Sequence, residues 1–359
     1  MKKLRFGFLS TANIGRKNWK AIFNSGNCVV TAVASRDLER SRKFIGECQA
    51  EAAFETPPAA FGGYEELLAS KNVDAIYFPL PTGLRRDWVM RAAEAGKHVL
   101  CEKPCAGSAT DLEAMISACR KNRVQFMDGV MFMHSQRLAR VREALDDGVS
   151  VGQIKRIVSQ FSFPGSEVFF CGNIRVNAAL EPAGCLGDLG WYDIRFTLWT
   201  LDWRLPREVS ARTLAQTDSS VPTDFSAELI FDDGVSAGLY CSFINFRQQW
   251  VNVSGTKGYL QISDFVNPFY GGELGFEVVN ILQDGFNLLP NVRRVNVAEH
   301  GNGHPTAQES NMFRDFANQV FSGRLNDDWP MWALKTQRVM DACLESARRN
   351  SPVKLESKL

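Results

Sequence analysis

The segment LRFGFLSTANIG, residues 4–15, decides the fold, because an apolar run leads through small residues into a stretch of helical character. A tight turn of this kind lets backbone N–H groups approach a pyrophosphate at a helix N-terminus. Ser10 and Ala12 are the smallest replacements for the glycines of such a turn, and Gly15 keeps the position where helix and strand pack closely. The segment therefore predicts a degenerate dinucleotide-binding turn. Its predicted cofactor contacts are Ser10, Ala12, Asn13, Ile14 and Gly15.

The first third of the chain alternates apolar strands with amphipathic helices. This alternation predicts a doubly wound parallel sheet that is covered on both faces, with ligands bound at the carboxyl ends of the strands. The predicted strands span residues 4–10, 28–35, 74–81 and 98–104, and the predicted helices span 11–24, 38–50 and 85–96.

A serine and an arginine end the second predicted strand, and Ser35 stands 20 residues beyond Gly15. An acidic residue there would bind the ribose 2′-hydroxyl of NAD, whereas Ser35 and Arg36 offer a hydroxyl and a guanidinium to a 2′-phosphate. NADP is therefore favoured over NAD. In an alternative interpretation Ser35 only caps the next helix, Arg36 is solvated, and Asp37 points at the ribose.

The length and the charge balance of the chain limit the kinds of binding partner that are expected. The chain has 359 residues, which suits two domains at about 150 residues each. Since 41 Lys and Arg nearly balance 40 Asp and Glu, neither nucleic acid nor an anionic membrane is an expected partner. A small-molecule substrate is expected instead.

The nine cysteines are scattered and form no C-x-x-C pair, which is typical of a reduced, cytoplasmic chain. The first five residues lead directly into a strand-like segment, so neither a signal peptide nor a membrane span is expected. No metal site is predicted, because the glycines between His300 and His304 oppose a helix that would aim both rings at one ion.

Three further segments resemble the Gfo/Idh/MocA oxidoreductases, in the branch of dihydrodiol dehydrogenase and glucose–fructose oxidoreductase: AGKHVLCEKPCA (95–106), GCLGDLGWYDIR (184–195) and GTKGYLQI (255–262). The resemblance implies an NAD(P)-binding Rossmann domain over residues 1–125. It implies an α+β domain over 126–359, built on a large, open, mostly antiparallel sheet, with C-terminal helices that pack back on the first domain. It also implies a homodimer or homotetramer that covers the free face of this sheet.

The same resemblance implies the catalytic residues. Lys103 would contact the substrate oxygen, Tyr192 would carry the proton, and Asp188 would contact or orient a substrate hydroxyl. A phenol with a pKa near 10 is a poor base at neutral pH, and a nearby ammonium lowers that pKa. The alternatives are that Lys103 lies on a surface turn, Tyr192 is a half-buried helix aromatic, and Asp188 is a helix N-cap.

Residues around these motifs complete the expected site. Glu102 is expected to orient Lys103 or contact the nicotinamide ribose, and Pro81 and Thr82 to lie against the cofactor. Arg85 departs from the family, which commonly has a histidine at that position. Substrate contacts are expected from His134, Asn173 and Arg175, with purely structural roles for these residues as the alternative.

These motifs predict an NAD(P)-dependent oxidoreductase that transfers a hydride between a nicotinamide cofactor and a sugar, polyol or related cyclic alcohol or carbonyl. The alternative is a nucleotide-binding regulator or sensor of the same fold without catalysis.

Overall fold

The computed structural model describes residues 2–271, 273–301 and 303–355, which form two compact units. The first unit extends to His134 and includes a C-terminal segment that ends at Leu334. The second unit extends from Ser135 to Gly301 and resumes at Lys335. The domain boundary after residue 125 stays a prediction, and the chain ends that it includes, residues 1 and 356–359, lie outside the described residues.

Secondary structure alternates regularly through the first unit. The elements are β1 (Leu4–Leu9), α1 (Ile14–Ser25), β2 (Cys28–Ala34), α2 (Leu38–Glu51), β3 (Ala59–Phe61), α3 (Tyr64–Ala69), β4 (Ala75–Phe78), α4 (Arg85–Glu94), β5 (His98–Cys101), α5 (Ala109–Lys121) and β6 (Phe126–Asp128).

Long strands dominate the rest of the chain. The elements are α6 (Gln136–Asp146), β7 (Ile154–Ser162), α7 (Glu167–Gly172), α8 (Trp191–Thr200), β8 (Glu208–Gln216), β9 (Pro222–Ile230), β10 (Ser236–Ser242), β11 (Gln248–Gly255), β12 (Tyr259–Ile262), β13 (Leu274–Asp284), β14 (Asn287–Val297), α9 (Gln308–Phe321), α10 (Asp328–Arg349) and β15 (Val353–Lys354).

The sheet of the first unit has six parallel strands in the order β3-β2-β1-β4-β5-β6. Its central strands are fully buried because helices cover both faces, and Phe8 of β1 contacts Tyr77 of β4 at 5.0 Å between ring centroids. Helix α9 belongs to this unit, where Phe313 packs on Phe6 at 5.3 Å. The strand order reverses between β1 and β4, which places a ligand-binding crevice at their carboxyl ends.

The second unit contains a nine-stranded sheet in the order β14-β13-β12-β11-β7-β10-β9-β8-β15. Strands β7 and β10 pair in parallel, and the other described pairs are antiparallel. The two sheets confirm the predicted fold class, a parallel Rossmann sheet followed by a large, open, mostly antiparallel one. Among the described residues, no helix has both the length and the apolar character needed to cross a membrane.

Candidate active site

The turn after β1 has the backbone shape of a glycine turn although it starts with serine. Ser10 has a φ of 136°, a conformation that L-residues rarely adopt. Its hydroxyl accepts a hydrogen bond from the Ala12 N–H at 3.0 Å, which secures the bend. Asn13 precedes α1 as an exposed residue, and Ile14 opens the helix with 42% of its surface exposed. The helix predicted over 11–24 therefore begins only after the turn, at residue 14.

Gly15 lies where the helix and the sheet come closest. A Cβ atom on Gly15 would be 3.1 Å from Cζ of Phe44 and 3.5 Å from Cδ2 of Phe8, so a side chain would force Phe44 to move. The absence of a side chain thus lets α1 start directly above β1. A short turn, exposed backbone at residues 13 and 14, and a helix N-terminus together fit the pyrophosphate of a dinucleotide.

The contacts in the loop after β2 show whether Ser35 or Asp37 caps the next helix. The buried Ser35 hydroxyl donates to the Asp37 carbonyl at 2.5 Å and accepts from the Ser41 hydroxyl at 3.1 Å. Asp37, rather than Ser35, is the N-cap of α2, and its carboxylate accepts from the Glu39 N–H at 2.8 Å. The carboxylate that could have bound a ribose is therefore engaged by the helix.

Two arginines lie at this loop and in the first turn of the helix that follows it. Arg36 is exposed, and Arg40 lies one helical turn further on α2. Burial raises the pKa of the Tyr64 phenol, and the charges of Arg36 and Arg40 oppose that rise, so both guanidinium groups lie within electrostatic range of Tyr64. In the described part of the chain, neither guanidinium forms an ion pair. Two guanidinium groups at one loop could bind an anion, and the sequence predictions did not include Arg40.

Glu102 is positioned by buried groups from two other elements. The Tyr77 hydroxyl donates to Glu102 Oε1 at 2.6 Å, and Asn18 Nδ2 lies 3.3 Å from the same oxygen. Burial, and next the negative charge of Glu102, raise the pKa of Tyr77 well above its ordinary value, so the phenol remains a donor. Asn18 is a polar residue on the buried face of α1, and that break in the apolar pattern could have identified it.

The Glu102-Lys103-Pro104 turn is tied to the start of α4. Lys103 is half-exposed and its peptide bond to Pro104 is cis. The buried Arg85 guanidinium donates to the Glu102 carbonyl at 2.7 Å and also to the Pro104 carbonyl. The Thr82 hydroxyl donates to the Pro104 carbonyl at 3.3 Å. Arg85, which departs from the family pattern, thus holds the backbone on both sides of Lys103.

Pro81 and His134 are the remaining predicted residues of the first unit. Pro81 precedes the single helical turn Thr82–Leu84 and is partly exposed. His134 Nδ1 lies 2.8 Å from Asp315 Oδ2, in a cavity of about 400 Å³ that is also lined by Trp329. Its expected contact with substrate stays a prediction.

In the second unit, Asp188 and Tyr192 lie on one continuous helical segment. Asp188 belongs to the wide turn Leu186–Gly190, which leads into α8, and Gly190 rather than Asp188 is the N-cap. Gly184 precedes this turn and has a φ of 49°. A Cβ atom there would be 2.1 Å from the Pro222 carbonyl oxygen. Tyr192 is 6% exposed and contacts Phe161 at 5.8 Å between ring centroids. It is therefore more buried than the half-buried aromatic of the alternative interpretation.

Asn173 and Arg175 join this part of the second unit. Arg175 Nε donates to Asp188 Oδ2 at 2.8 Å, and the side chains of Arg175 and Asp188 are 43% and 16% exposed. Asn173 Oδ1 accepts from the Arg175 N–H at 3.0 Å and caps the turn Ile174–Val176. Four predicted residues therefore form one group: Asn173, Arg175, Asp188 and Tyr192.

Two models of one protein family match this chain. Residues 4–130 match the model of an oxidoreductase family with an NAD-binding Rossmann fold, and residues 138–261 match the GFO/IDH/MocA C-terminal domain.

Individual relatives match over most of their length. The chain is 30% identical to a D-xylose 1-dehydrogenase (NADP(+)) of Haloferax volcanii, over 98% of this chain and 100% of the relative. It is 28% identical to the trans-1,2-dihydrobenzene-1,2-diol dehydrogenase of Mus musculus, over 74% of this chain and 76% of the relative. A crystal structure of a 3-ketoreductase from Actinomadura kijaniata with NADP and TDP-benzene superposes with a TM-score of 0.81 at 26% identity, covering 96% of this chain and 98% of that one.

Proposed function

The chain belongs to the Gfo/Idh/MocA family of NAD(P)-dependent oxidoreductases, and we propose that it transfers hydride between NADP and a carbon of a sugar or related cyclic polyol. The observation that carries this proposal is the Asp188 carboxylate, fixed 2.8 Å from Arg175 one helical turn before Tyr192. A carboxylate beside a phenol can bind a substrate hydroxyl and accept or release its proton. The match to a D-xylose dehydrogenase supports a sugar as the substrate.

The preference for NADP rests on the loop after β2. Asp37 is engaged as a helix cap, while Arg36 and Arg40 carry positive charge beside Tyr64. A guanidinium binds a phosphate through charge-assisted hydrogen bonds, and Asp37 already uses Oδ1 to cap α2. We therefore propose Arg36 as the main contact of the 2′-phosphate and Arg40 as a second one. Ser35, whose hydroxyl is bound inside the loop, supports the loop shape.

The remaining cofactor contacts follow the turn and the strand ends. We propose that the N–H groups of Asn13 and Ile14 bind the pyrophosphate, since those of Ala12 and Gly15 donate within the turn to Ser10 Oγ and the Ala12 carbonyl. We also propose that Pro81 and Thr82 line the crevice. Glu102 is held by Tyr77 and Asn18, so we propose that it orients the turn on which Lys103 lies. When bound, the nicotinamide supplies or accepts the hydride.

Proton transfer is assigned to side chains. Alcohol oxidation requires the hydroxyl proton to leave as the C–H bond breaks. We propose that Tyr192 takes this proton, that Lys103 anchors the substrate oxygen, and that Asp188 accepts a hydrogen bond from a substrate hydroxyl. In the reducing direction the same groups act in reverse.

A second copy of this chain is the proposed protein partner. The turn that joins β13 to β14 exposes large apolar side chains, among them Leu282 at 63%, Phe286 at 105% and Leu288 at 64%. Exposed apolar surface of this kind marks an association surface. The described cysteines are all free and eight of the nine are buried, which supports a reducing, cytoplasmic location.

The test is direct. The purified protein is titrated with NADPH and NADH by fluorescence, and NADPH formation is then followed with NADP and a panel of aldoses and cyclic polyols. Preferential NADPH binding with turnover of at least one sugar is expected. Binding of NADPH without turnover in either direction would favour a regulator, and binding of neither cofactor would remove the proposal.

A further inference from the structure

Arg175 is held by hydrogen bonds at its backbone and at its side chain. Asn173 caps the turn that carries Arg175, and Arg175 Nε donates to Asp188 Oδ2 at 2.8 Å. The Asp188 side chain is only 16% exposed, so its charge is poorly shielded by water. A charge-assisted hydrogen bond in such a place is stronger than one at an open surface.

The charge of Arg175 also reaches Tyr192. The charge of Asp188 raises the pKa of Arg175 against the opposing effect of burial, with further contributions from the Asp188 hydrogen bond and the charges of Glu181 and Tyr192. Asp188 and Tyr192 are four residues apart on one helical segment, a spacing that places two side chains on the same side. Arg175 thus lies within electrostatic range of Asp188, Glu181 and Tyr192.

We propose that Arg175 is a positioning residue that holds Asp188 and offsets its negative charge, so that Tyr192 can ionise in the working pH range. This inference rests on the proposed role of Tyr192 as the proton carrier. Without the guanidinium, the negative charge of Asp188 would no longer be offset by Arg175 and would disfavour the phenolate more strongly. Asn173 then acts through Arg175 by fixing the turn.

The Arg175 pair differs from an ordinary surface ion pair of the same unit. Arg204 and Asp233 lie 2.7 Å apart with side chains 48% and 47% exposed, and such pairs contribute little to stability. Asp188 is about a third as exposed as Asp233 and lies in the helical segment of the phenol. Arg204→Gln is therefore the matched control for Arg175→Gln.

The experiment compares the pH dependence of kcat/KM for sugar oxidation in the wild type, Arg175→Gln, Arg175→Lys and Arg204→Gln. Loss of the guanidinium raises the pKa of the phenol, so the acidic limb of the Arg175→Gln profile is expected to move up by about one pH unit. The activity at neutral pH should then fall about tenfold, with little change in KM for the sugar. In Arg175→Lys the acidic limb should return most of the way to its wild-type position, and Arg204→Gln should match the wild type.

Asp188→Asn provides a change in the opposite direction. It removes the carboxylate and leaves the guanidinium, so the acidic limb should move to lower pH even though turnover falls. A folding defect cannot shift the limb in opposite directions in two variants. Superimposable profiles for Arg175→Gln and the wild type would overturn the inference, as would a rise in KM with an unchanged limb, which would identify Arg175 as a substrate contact instead.

A spectroscopic titration separates this inference from the proposed function. The phenolate absorbance of Tyr192 is obtained by subtracting the Tyr192→Phe titration from that of the wild type, and the same subtraction is made in the Arg175→Gln background. A higher phenol pKa in the Arg175→Gln pair supports the inference even if no sugar is turned over. Equal pKa values in the two backgrounds reject it even if the enzyme is active.

Discussion

Arg85 Nη1 lies 2.7 Å from the carbonyl oxygen of Glu102, and the same buried guanidinium donates through Nε to the Leu80 carbonyl at 2.7 Å. One side chain therefore ties the end of the β4 segment to the turn after β5. The positive charge is compensated by backbone carbonyl dipoles, which suits a position that is 4% exposed. The position of Lys103 in the proposed reaction depends on this link.

Replacing Arg85 with methionine should destabilise the protein. The side-chain volume is roughly kept, but three hydrogen bonds from the guanidinium to buried carbonyl oxygens are lost, so the free energy of unfolding should fall by about 2–4 kcal/mol. Urea unfolding followed by circular dichroism measures this. The control is Arg86→Met, whose side chain is 50% exposed and whose loss should cost about 0.5 kcal/mol or less. Equal stability of the two variants would contradict the assignment of Arg85 as an anchor.

At position 10, replacement by glycine should give a more stable protein than replacement by alanine. At a φ of 136° any Cβ is strained, so Ser10→Gly should be more stable than Ser10→Ala by about 1 kcal/mol. Thermal unfolding and NADPH titration of both variants provide the measurement. Ser70 is the control, because its hydroxyl accepts from the Asn72 N–H in the same way at an ordinary φ of −66°. If alanine proves better than glycine at position 10, the backbone there is unstrained.

Arg36→Ala should weaken NADPH binding about tenfold and leave NADH binding nearly unchanged, because only NADPH carries the 2′-phosphate. Fluorescence titration with both cofactors gives the two dissociation constants. Arg42→Ala is the control on the helix that follows this loop, since Arg42 is 60% exposed and pairs with Glu39. Equal losses for NADPH and NADH would show that Arg36 does not contact the 2′-phosphate.

Asp193→Asn should stabilise the protein most at neutral and alkaline pH. Asp193 is fully buried, and burial raises the pKa of its carboxyl well above the ordinary value although the Ser159 hydroxyl opposes that rise. Since the folded pKa lies above the unfolded one, stability falls as pH rises past the unfolded pKa of about 4. Asparagine removes this dependence.

Urea unfolding of Asp193→Asn and the wild type at about pH 4.5 and about pH 7.5 measures the change. The gain from asparagine should be larger at the higher pH. Asp202→Asn, whose side chain is 82% exposed, should show no such gain. A larger gain at the lower pH would mean that Asp193 is ionised in the folded protein.

In the proposed oligomer, Phe286→Asp should shift the equilibrium toward the monomer, because a charge in an apolar interface is strongly unfavourable. Sedimentation velocity at several protein concentrations gives the mass. Leu325→Asp, at a site 38% exposed in the first unit, is the control. A Phe286→Asp protein with the wild-type mass would place the subunit contact elsewhere.

Features that depend on neighbouring residues could be predicted from the sequence. The alternation of apolar and amphipathic segments identified the parallel sheet, and the small residues around Gly15 identified the turn after β1. The spacing of Asp188 and Tyr192 identified two side chains of one helical segment. Periodicity expresses such local geometry directly, because one helix or strand repeats over a few residues.

Contacts between distant segments were decided by the tertiary structure alone. The contacts of Arg85 with the Glu102 backbone, and of Tyr77 and Asn18 with the Glu102 carboxylate, depend on strand order and on the packing of α1 against the sheet. Arg175 meets Asp188 only because the turn after α7 folds back on the segment before α8. Composition and periodicity carry no information on which loops meet, since that is determined by the whole buried surface of each unit.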